Sequence, residues 1–345
     1  MKNKPDDTFI HKKKWFEGLD SLRIILALMV MLSHFDNPFT AYLKSSSHLG
    51  VRLFSYFLAN AFNGTAAVIA FFIISGFVIH YPHKNGQINL KKFWIRRFSR
   101  ILIPLIVIYL VGIKFGHPEK AVIWSLVCEL VYYAIYPLLI KIKLSWRQKF
   151  IFCYLLAATF IVVIARNDIL SLVHQKDICY NGCYWQPGFF LTWVIGLPIW
   201  LLGVIMAEHI DTLKKCSLSR VLSYRIIVYV LSVMLCIGKF HLYLSYLLTM
   251  NIFALLLFKW LQAEIVYFKT KKTAGILEAA GKFSYSLYLC HPLIYVILQI
   301  WISSSMVTYP IFIMITVFIA YLFYLTVEKP AHLLAVQLSK NIQDS

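Results

Sequence analysis

The chain is a succession of long apolar stretches separated by short polar segments that are mostly basic. Several stretches approach the roughly 20 residues that an α-helix needs to cross a bilayer. Their apolar residues do not alternate with the period of two typical of a barrel strand, so the pattern predicts transmembrane α-helices. The predicted spans lie at about 20–37, 62–81, 101–117, 121–140, 150–166, 189–207, 226–240, 242–259, 284–302 and 308–327.

Lysine and arginine are distributed unevenly among the connecting segments. If the N-terminus is cytoplasmic, most of the 34 Lys and Arg residues fall on the cytoplasmic side and Arg23 lies within the first helix. The predicted outer residues are Lys44, Arg52, Lys114, Lys120, Arg166, Lys176 and Lys239. This asymmetry obeys the positive-inside rule. We therefore predict an all-α integral membrane protein, a polytopic bundle of about ten transmembrane helices with both termini cytoplasmic.

Composition agrees with this class. Hydrophobic residues make up 60% of the chain, only 14% of residues are charged, and the formal net charge is +19. The positive charge lies in predicted inner loops, where anionic membrane lipids attract it, so we expect no nucleic acid partner. The predicted organisation is a cytoplasmic N-terminal segment over 1–17, one transmembrane domain over 18–330 and a cytoplasmic tail over 331–345.

Two shorter features concern the predicted outer side. The apolar run Leu53–Ala59 is too short to span a membrane and is predicted to lie at its interface. Cys179 and Cys183 flank an Asn181-Gly182 turn in the longest outer loop, and in an oxidising compartment they could form a local disulfide. Their spacing, with no adjacent histidine pair, argues against a metal site.

The first predicted span contains two ionisable residues, Arg23 and His34. Eleven positions separate them, which is about three helical turns, so they share one helix face about 16 Å apart. Ionisable side chains at such depth are costly and commonly functional. The alternatives are that Arg23 extends to the headgroups and that His34 joins two helices by a hydrogen bond.

Other chemically informative residues lie at or within later spans. Ser75-Gly76 would let another helix approach closely. Arg97 and Arg100 share a helix face, which suits either membrane anchoring or bidentate capture of phosphate. Glu129 lies inside the fourth span and needs a cation or a hydroxyl donor as its partner.

These segments resemble acyltransferase family 3, the integral-membrane O-acyltransferases that include O-antigen acetylases. The resemblance extends over residues 16–330, with motifs in the expected order. They are Gly-Leu-Asp-Ser-Leu-Arg…His (18–34), Phe-Phe-Ile-Ile-Ser-Gly-Phe (71–77), Arg-Phe-Ser-Arg (97–100), Trp-Ser-Leu-x-x-Glu (124–129), Ser-Tyr-Ser-Leu-Tyr-Leu-Cys-His-Pro (284–292) and Glu-Lys-Pro (328–330). Ser21 departs from the glycine usual in the family, and the loop at 36–61 is long.

The resemblance implies site residues. It makes His34 the catalytic residue, and we expect Glu129 to orient or charge a group in the cavity. The expected contacts with acyl-CoA are Arg23, Arg97 and Arg100 at the cytoplasmic mouth and Ser75, Gly76 and Phe77 along the pantetheine path. We also expect Glu328 to pair with the arginines and His291 to pack or to form a hydrogen bond.

The function implied is transfer of an acyl group, with acetyl as the default, from cytoplasmic acyl-CoA to a saccharide hydroxyl in the bacterial cytoplasmic membrane. No metal is implied. The acceptor could be a surface polysaccharide, peptidoglycan or a lipid-linked intermediate, and His34 could act as a base or as an acyl relay. The main alternative is a transporter or flippase of a lipid-linked saccharide, although the chain lacks an evident two-fold repeat. A sensor or scaffold is the third class.

Overall fold

The computed structural model describes residues 16–84, 88–116 and 122–340, and within these ranges the chain is helical with no β-strand. The basic residues before Phe16, and Lys120, lie outside the described residues. The α-helices are α1 Leu19–His34, α2 Pro38–Lys44, α3 Leu49–Ala59, α4 Gly64–His80, α5 Leu90–Lys114, α6 Ile123–Lys141, α7 Trp146–Ile164, α8 Arg166–His174, α9 Thr192–His209, α10 Leu218–His241, α11 Tyr246–Phe268, α12 Gly275–Gly281, α13 Ser284–Trp301, α14 Thr308–Phe323 and α15 Lys329–Lys340.

Each predicted span overlaps one of these helices, but not every such helix is long and apolar enough to cross a bilayer alone. Seven helical segments of the described chain meet that requirement, or eight if α12 and α13, bent by 66°, form one span. The α1 helix has only 16 residues, and α5 contains several basic residues in its first half. The count of ten and the cytoplasmic termini therefore stay predictions.

Polar residues at the helix starts explain several boundaries. The side chains of Asn63, Asn89, Ser145, Ser217 and Ser245 each accept a hydrogen bond from a backbone N–H in the first turn of the following helix. The first N–H groups of a helix have no partner within it, so a cap of this kind satisfies one of them. These residues therefore define where α4, α5, α7, α10 and α11 begin.

The centre of the molecule is the close packing of α4 against α9. A Cβ atom on Gly76 would collide with the carbonyl oxygen of Trp200, and a Cβ atom on Gly203 would collide with that of Ile73. Small residues allow two helix backbones to approach in this way, which is common in membrane proteins. The α4 helix also packs against α1, so the pair α4–α9 fixes the position of the first helix.

The short apolar run in the first long loop forms part of a short helix. Leu53–Ala59 belongs to α3, and α3 joins α4 in one candidate span, Leu49–His83. Its apolar residues, including Leu53 and Phe54, are exposed. The α3 helix ends at Ala59 and α4 begins at Gly64 after its cap Asn63, so the run belongs to a separate helix, and its location at the membrane interface stays a prediction.

The C-terminal residues are also more ordered than a tail. The segment predicted as the tail over 331–345 contains most of α15, which packs against α5, and the Arg96 Nε donates a hydrogen bond to the Ser339 hydroxyl at 2.7 Å. Residues 341–345 lie outside the described residues. A five-residue π-helix, Tyr324–Glu328, precedes α15. Pro330 follows it and lacks the N–H that a regular helix would donate.

Helices at the periphery expose apolar side chains. Phe152 and Val163 of α7, Met234 of α10 and Met314 and Phe318 of α14 are all more than half exposed. An apolar periphery around a buried core is typical of a bundle surrounded by lipid. Cys179 and Cys183 are both free thiols, and Cys179 is exposed.

Candidate functional site

A cavity opens among α1, α4, α5, α6 and α13. Five of the residues that the sequence singles out line it together. They are Arg23, Ser75, Arg97, Arg100 and Glu129. Residues that lie more than 100 positions apart in the sequence thus line the same cavity. This is possible because α4 is central and the other helices surround it.

Three arginine side chains bring positive charge to this cavity. Arg23 Nη1 lies 3.3 Å from a carboxylate oxygen of Asp20, one turn earlier in α1. Arg97 and Arg100 lie on one face of α5, and neither guanidinium forms a hydrogen bond or an ion pair with another residue of the described ranges. Guanidinium groups with unused donors in a cavity are suited to bind a phosphate-rich ligand.

Glu129 supplies the negative charge in the cavity. It accepts a hydrogen bond from the Ser75 hydroxyl at 2.9 Å and a short one from the Tyr133 hydroxyl. The indole Nε1 of Trp200 donates to the Ser75 hydroxyl at 3.3 Å. This network joins α4, α6 and α9, so Ser75 is held between an indole donor and a carboxylate acceptor. The sequence prediction that Glu129 needs a hydroxyl donor matches this geometry.

Gly76 and Phe77 lie elsewhere. Gly76 faces α9 at Trp200, where the two helices approach closely. Phe77 is fully buried and its ring packs edge-on against Phe16, with a centroid distance of 5.0 Å. Neither residue lines the cavity, since Ser75 turns to it from a different face of α4.

His34 also lies away from the cavity, at the end of α1, where it is exposed. Its Nδ1 atom lies 2.9 Å from Nε2 of His291, and the two rings are stacked with a centroid distance of 5.0 Å. His291 is fully buried in α13. The sequence expectation that His291 forms a hydrogen bond is met, and its partner is the predicted catalytic residue.

The backbone of α13 decides the direction of this hydrogen bond. His291 Nδ1 lies 2.8 Å from the carbonyl oxygen of Tyr288, and a carbonyl can only accept. Pro292 has no N–H to occupy that carbonyl. In a neutral pair, His291 therefore carries its proton on Nδ1 and accepts at Nε2, so His34 donates from Nδ1. The Nε2 atom of His34 is left with its lone pair.

One tyrosine connects the cavity to the two histidines. The Tyr288 side chain lines the cavity, and its hydroxyl lies 2.6 Å from the Ser125 hydroxyl. Its ring centroid lies 6.2 Å from that of His291 and 6.0 Å from that of Phe71. Phe71 and Tyr288 thus stand at the end of the cavity that is directed towards His291.

Two acidic residues at the base of α1 and α13 complete the surroundings. Glu278 Oε1 accepts hydrogen bonds from the Gly18 N–H at 2.7 Å and the Ser21 hydroxyl at 2.8 Å. Glu328 is buried and accepts from the Ser286 hydroxyl at 2.6 Å, whereas no ion pair joins it to an arginine within the described residues. Sequence reasoning missed Glu278 because it is a single acid in a basic segment, with no motif around it.

No group of His, Cys, Asp and Glu side chains in the described ranges is arranged to hold a metal ion. The side chains at the site offer guanidinium donors, a hydrogen-bonded carboxylate and an imidazole with a defined tautomer.

Comparison with known proteins agrees with this arrangement. A family model described as an acyltransferase domain, that of acyltransferase family 3, matches residues 16–325. Peptidoglycan O-acetyltransferase OatA of Listeria monocytogenes is 27% identical over 113 residues, which is 32% of this chain and 15% of that protein. The chain therefore corresponds to a small part of that relative's length. No solved structure matches. Because the family match covers the site and most of the chain, the protein belongs to acyltransferase family 3.

Proposed function

We propose that this protein is a membrane O-acyltransferase that moves an acyl group, by default acetyl from acetyl-CoA, to a hydroxyl of a cell-surface or lipid-linked saccharide in the bacterial cytoplasmic membrane. Family membership supports acyl transfer. The relative's name, a peptidoglycan O-acetyltransferase, supports an acetyl group and a saccharide acceptor. The same findings favour an enzyme over a transporter or flippase.

The observation that carries the proposal is the geometry of one continuous region. A cavity with three arginines ends at Tyr288, whose ring contacts His291, and His291 is hydrogen-bonded to the exposed His34. A phosphate-binding end and a basic nitrogen thus lie on the two sides of one tyrosine. An acyl donor with anionic phosphates and a narrow thioester arm fits this order.

In the proposed donor complex, Arg97 and Arg100 bind the phosphates of acyl-CoA, and Arg23 adds positive charge near them. The pantetheine arm passes the Ser75 hydroxyl, which Glu129 and Tyr133 hold in position. Gly76 and Phe77 serve helix packing, so we no longer assign them to the arm. Phe71 and Tyr288 must move for the thioester to reach His34, because their rings end the cavity.

In the proposed reaction, Nε2 of His34 takes the proton of the acceptor hydroxyl as the oxygen attacks the thioester carbonyl. The new C–O bond forms, the C–S bond breaks, and the CoA thiolate leaves with the electron pair. The thiolate then takes the proton from His34, which returns the imidazole to its neutral form, so the charges balance. In the alternative relay, His34 Nε2 first forms an acyl-histidine that the hydroxyl cleaves. Both routes use the nitrogen that His291 leaves unprotonated.

The test uses the full chain reconstituted in lipid nanodiscs with radiolabelled acetyl-CoA and peptidoglycan fragments. We expect label in the saccharide with the wild type and a loss of about 10²-fold or more with His34→Ala, the range typical of a lost general base. His174→Ala is the control, since His174 is exposed on α8, away from the cavity. Full activity in His34→Ala contradicts the assignment. Movement of saccharide across the bilayer without incorporation of label supports the transporter alternative.

The acceptor is identified by glycan mass spectrometry of a deletion strain. The proposal predicts that one glycan loses a fixed mass per modified sugar. The loss is about 42 Da if the group is acetyl and about 100 Da if it is succinyl, so the mass distinguishes the two groups. An unchanged glycan profile contradicts it.

A further inference from the structure

A second cavity lies where the loop 175–191 meets the turn between α10 and α11. We call it the loop pocket. None of its residues lines the donor cavity. It is lined by Tyr180, Asn181, Lys239, Phe240, His241 and Tyr243.

A buried carboxylate shapes the wall of the loop pocket. Asp168 of α8 is fully buried, and it accepts hydrogen bonds from the backbone N–H groups of Asn181 at 3.0 Å and Gly182 at 3.3 Å. The carbonyl oxygen of Gly182 accepts from the Tyr246 N–H at 3.0 Å. Gly182 has a φ of 69°, which favours glycine. The loop is thereby fixed to both α8 and α11.

Tyr180 links this loop to the end of α10. Its hydroxyl donates to the carbonyl oxygen of Lys239 at 3.0 Å, and its ring meets that of Tyr243 edge-on at 5.3 Å. Burial, with the nearby Asp168 carboxylate, raises the pKa of Tyr180. The hydroxyl therefore stays protonated and keeps this bond. The pocket is preformed and does not depend on a ligand for its shape.

Lys239 brings an uncompensated cation to the loop pocket. Its ammonium group lies 4.7 Å from the ring centroids of Phe240 and Tyr246, and 3.9 Å from the Cys183 sulfur. No carboxylate of the described residues forms an ion pair with it. A partly buried cation without an anion is a favourable position for a negatively charged ligand.

Two further polar groups in the pocket are unused. The Asn181 side-chain oxygen accepts from the Cys183 N–H at 3.2 Å, but its amide nitrogen makes no hydrogen bond with a described residue. The ring nitrogens of His241 also make none, although its ring contacts Tyr56. These groups, beside aromatic rings and a cation, suit a ligand with hydroxyls and an acidic group.

The loop pocket lies at the end of the bundle that carries His34. Ser33, next to His34, packs against Gly64 at the start of α4. Asn63, the preceding residue, donates its amide to the carbonyl oxygen of Ser232 in α10 at 3.1 Å. The α10 helix then continues for about two and a half turns before it ends at His241.

We propose that the loop pocket binds an acidic sugar unit of the acceptor, through its carboxylate or phosphate, while a hydroxyl of another unit of the same saccharide reaches His34. The inference rests on the proposed function and deepens it, because it makes the acceptor an acidic oligosaccharide or polymer. A phospholipid headgroup carries the same anionic chemistry, so the test separates the two sources.

The probes are tetragalacturonate and the same tetrasaccharide with its carboxylates reduced to neutral alcohols. Calorimetry with the full chain in zwitterionic nanodiscs should show binding of the acid at least about tenfold tighter than the neutral form. Lys239→Gln should remove that preference, and Lys239→Arg should retain it. Lys176→Gln is the matched control, because Lys176 is exposed in the same loop but does not line the pocket.

His34→Ala should bind the acid as the wild type does, so a failure of catalysis and a failure of this inference are distinguishable. Thermal unfolding checks that each variant is folded. Asn181→Ala, which keeps the backbone hydrogen bond to Asp168, is a second variant that should bind the acidic tetrasaccharide more weakly. Equal binding of the two probes overturns the proposal, as does an unchanged preference in Lys239→Gln or an equal loss in Lys176→Gln. Loss of binding in phosphatidylglycerol nanodiscs also overturns it, because the pocket would then belong to a lipid headgroup.

Discussion

His291 Nε2 lies 2.9 Å from Nδ1 of His34, and the other nitrogen of His291 is directed to the Tyr288 carbonyl, which Pro292 leaves without a backbone donor. A proline in α13 thus determines which nitrogen of a histidine in α1 is basic. In the proposed reaction, His291 is a positioning residue that acts through His34.

The first prediction concerns that positioning. His291→Phe removes the acceptor for His34 Nδ1–H, and we expect kcat to fall about 10–100-fold with little change in the KM for acyl-CoA. His291→Gln supplies a carbonyl oxygen as acceptor and should recover part of the loss. The ¹⁵N shifts of His34 should show the Nδ1–H tautomer in the wild type and a mixture in His291→Phe. An unchanged tautomer together with reduced activity would assign His291 a merely structural role.

The second prediction concerns the donor. Arg97→Ala and Arg100→Ala should each raise the KM for acetyl-CoA about tenfold, because each removes guanidinium donors from a phosphate. Acetyl-pantetheine, which has no phosphate, should be used equally well by the variants and the wild type. Arg96→Ala is the control, since Arg96 donates to Ser339 and does not line the cavity. Equal acetyl-CoA binding in all three variants would leave the arginines as membrane anchors.

The third prediction concerns the junction of α4 and α9. Gly76→Ala places a Cβ against the Trp200 carbonyl oxygen, and neither backbone can move without disturbing the core. Overpacking of this kind costs about 1–3 kcal/mol. The thermal midpoint in detergent should fall clearly. Gly275→Ala should leave it nearly unchanged, since no atom lies within 4 Å of that added Cβ, and a similar midpoint for both variants would contradict the packing role.

The fourth prediction concerns the start of α1. Glu278→Ala leaves the Gly18 N–H and the Ser21 hydroxyl without their acceptor. Loss of a helix cap costs about 0.5–2 kcal/mol. We expect lower stability and a higher KM for acetyl-CoA, because Arg23 lies one turn further along α1. Glu17→Gln, a change at an exposed acid beside the helix, should change neither quantity; equal effects would indicate a general charge effect.

The fifth prediction concerns topology. In variants that retain a single cysteine, a membrane-impermeant maleimide should label Cys179 from outside intact cells, whereas Cys216 should react only after the membrane is opened. The positive-inside rule places the loop with Cys216 in the cytoplasm. Labelling of Cys216 in intact cells would invert the predicted orientation, and with it the side on which acyl-CoA binds.

The apolar pattern predicted the positions of the helices better than their lengths or the roles of their residues. The short span predicted at 226–240 became the long helix α10, because Ser217 caps it well before the apolar core, and the span predicted at 242–259 became α11, which begins after its cap Ser245 and continues to Phe268. The segment after residue 330, predicted as a tail, contains a helix that packs on α5 and buries the small residues Ala331, Ala335 and Ser339, which share one helix face. The family resemblance assigned Gly76 and Phe77 to the site together with Ser75, but they do not line the cavity.

The linear sequence determined the class of the protein, the positions of its helices and the residue types of its chemistry, because long apolar runs and charges buried among them are local properties of the chain. Only the tertiary structure decided which charges meet. It brought Arg23, Arg97, Arg100 and Glu129 to one cavity and paired His34 with His291, since these contacts depend on how helices pack. It also showed that no carboxylate of the described ranges pairs with Lys239 in the loop pocket, because a residue's neighbours are known only once the helices are packed.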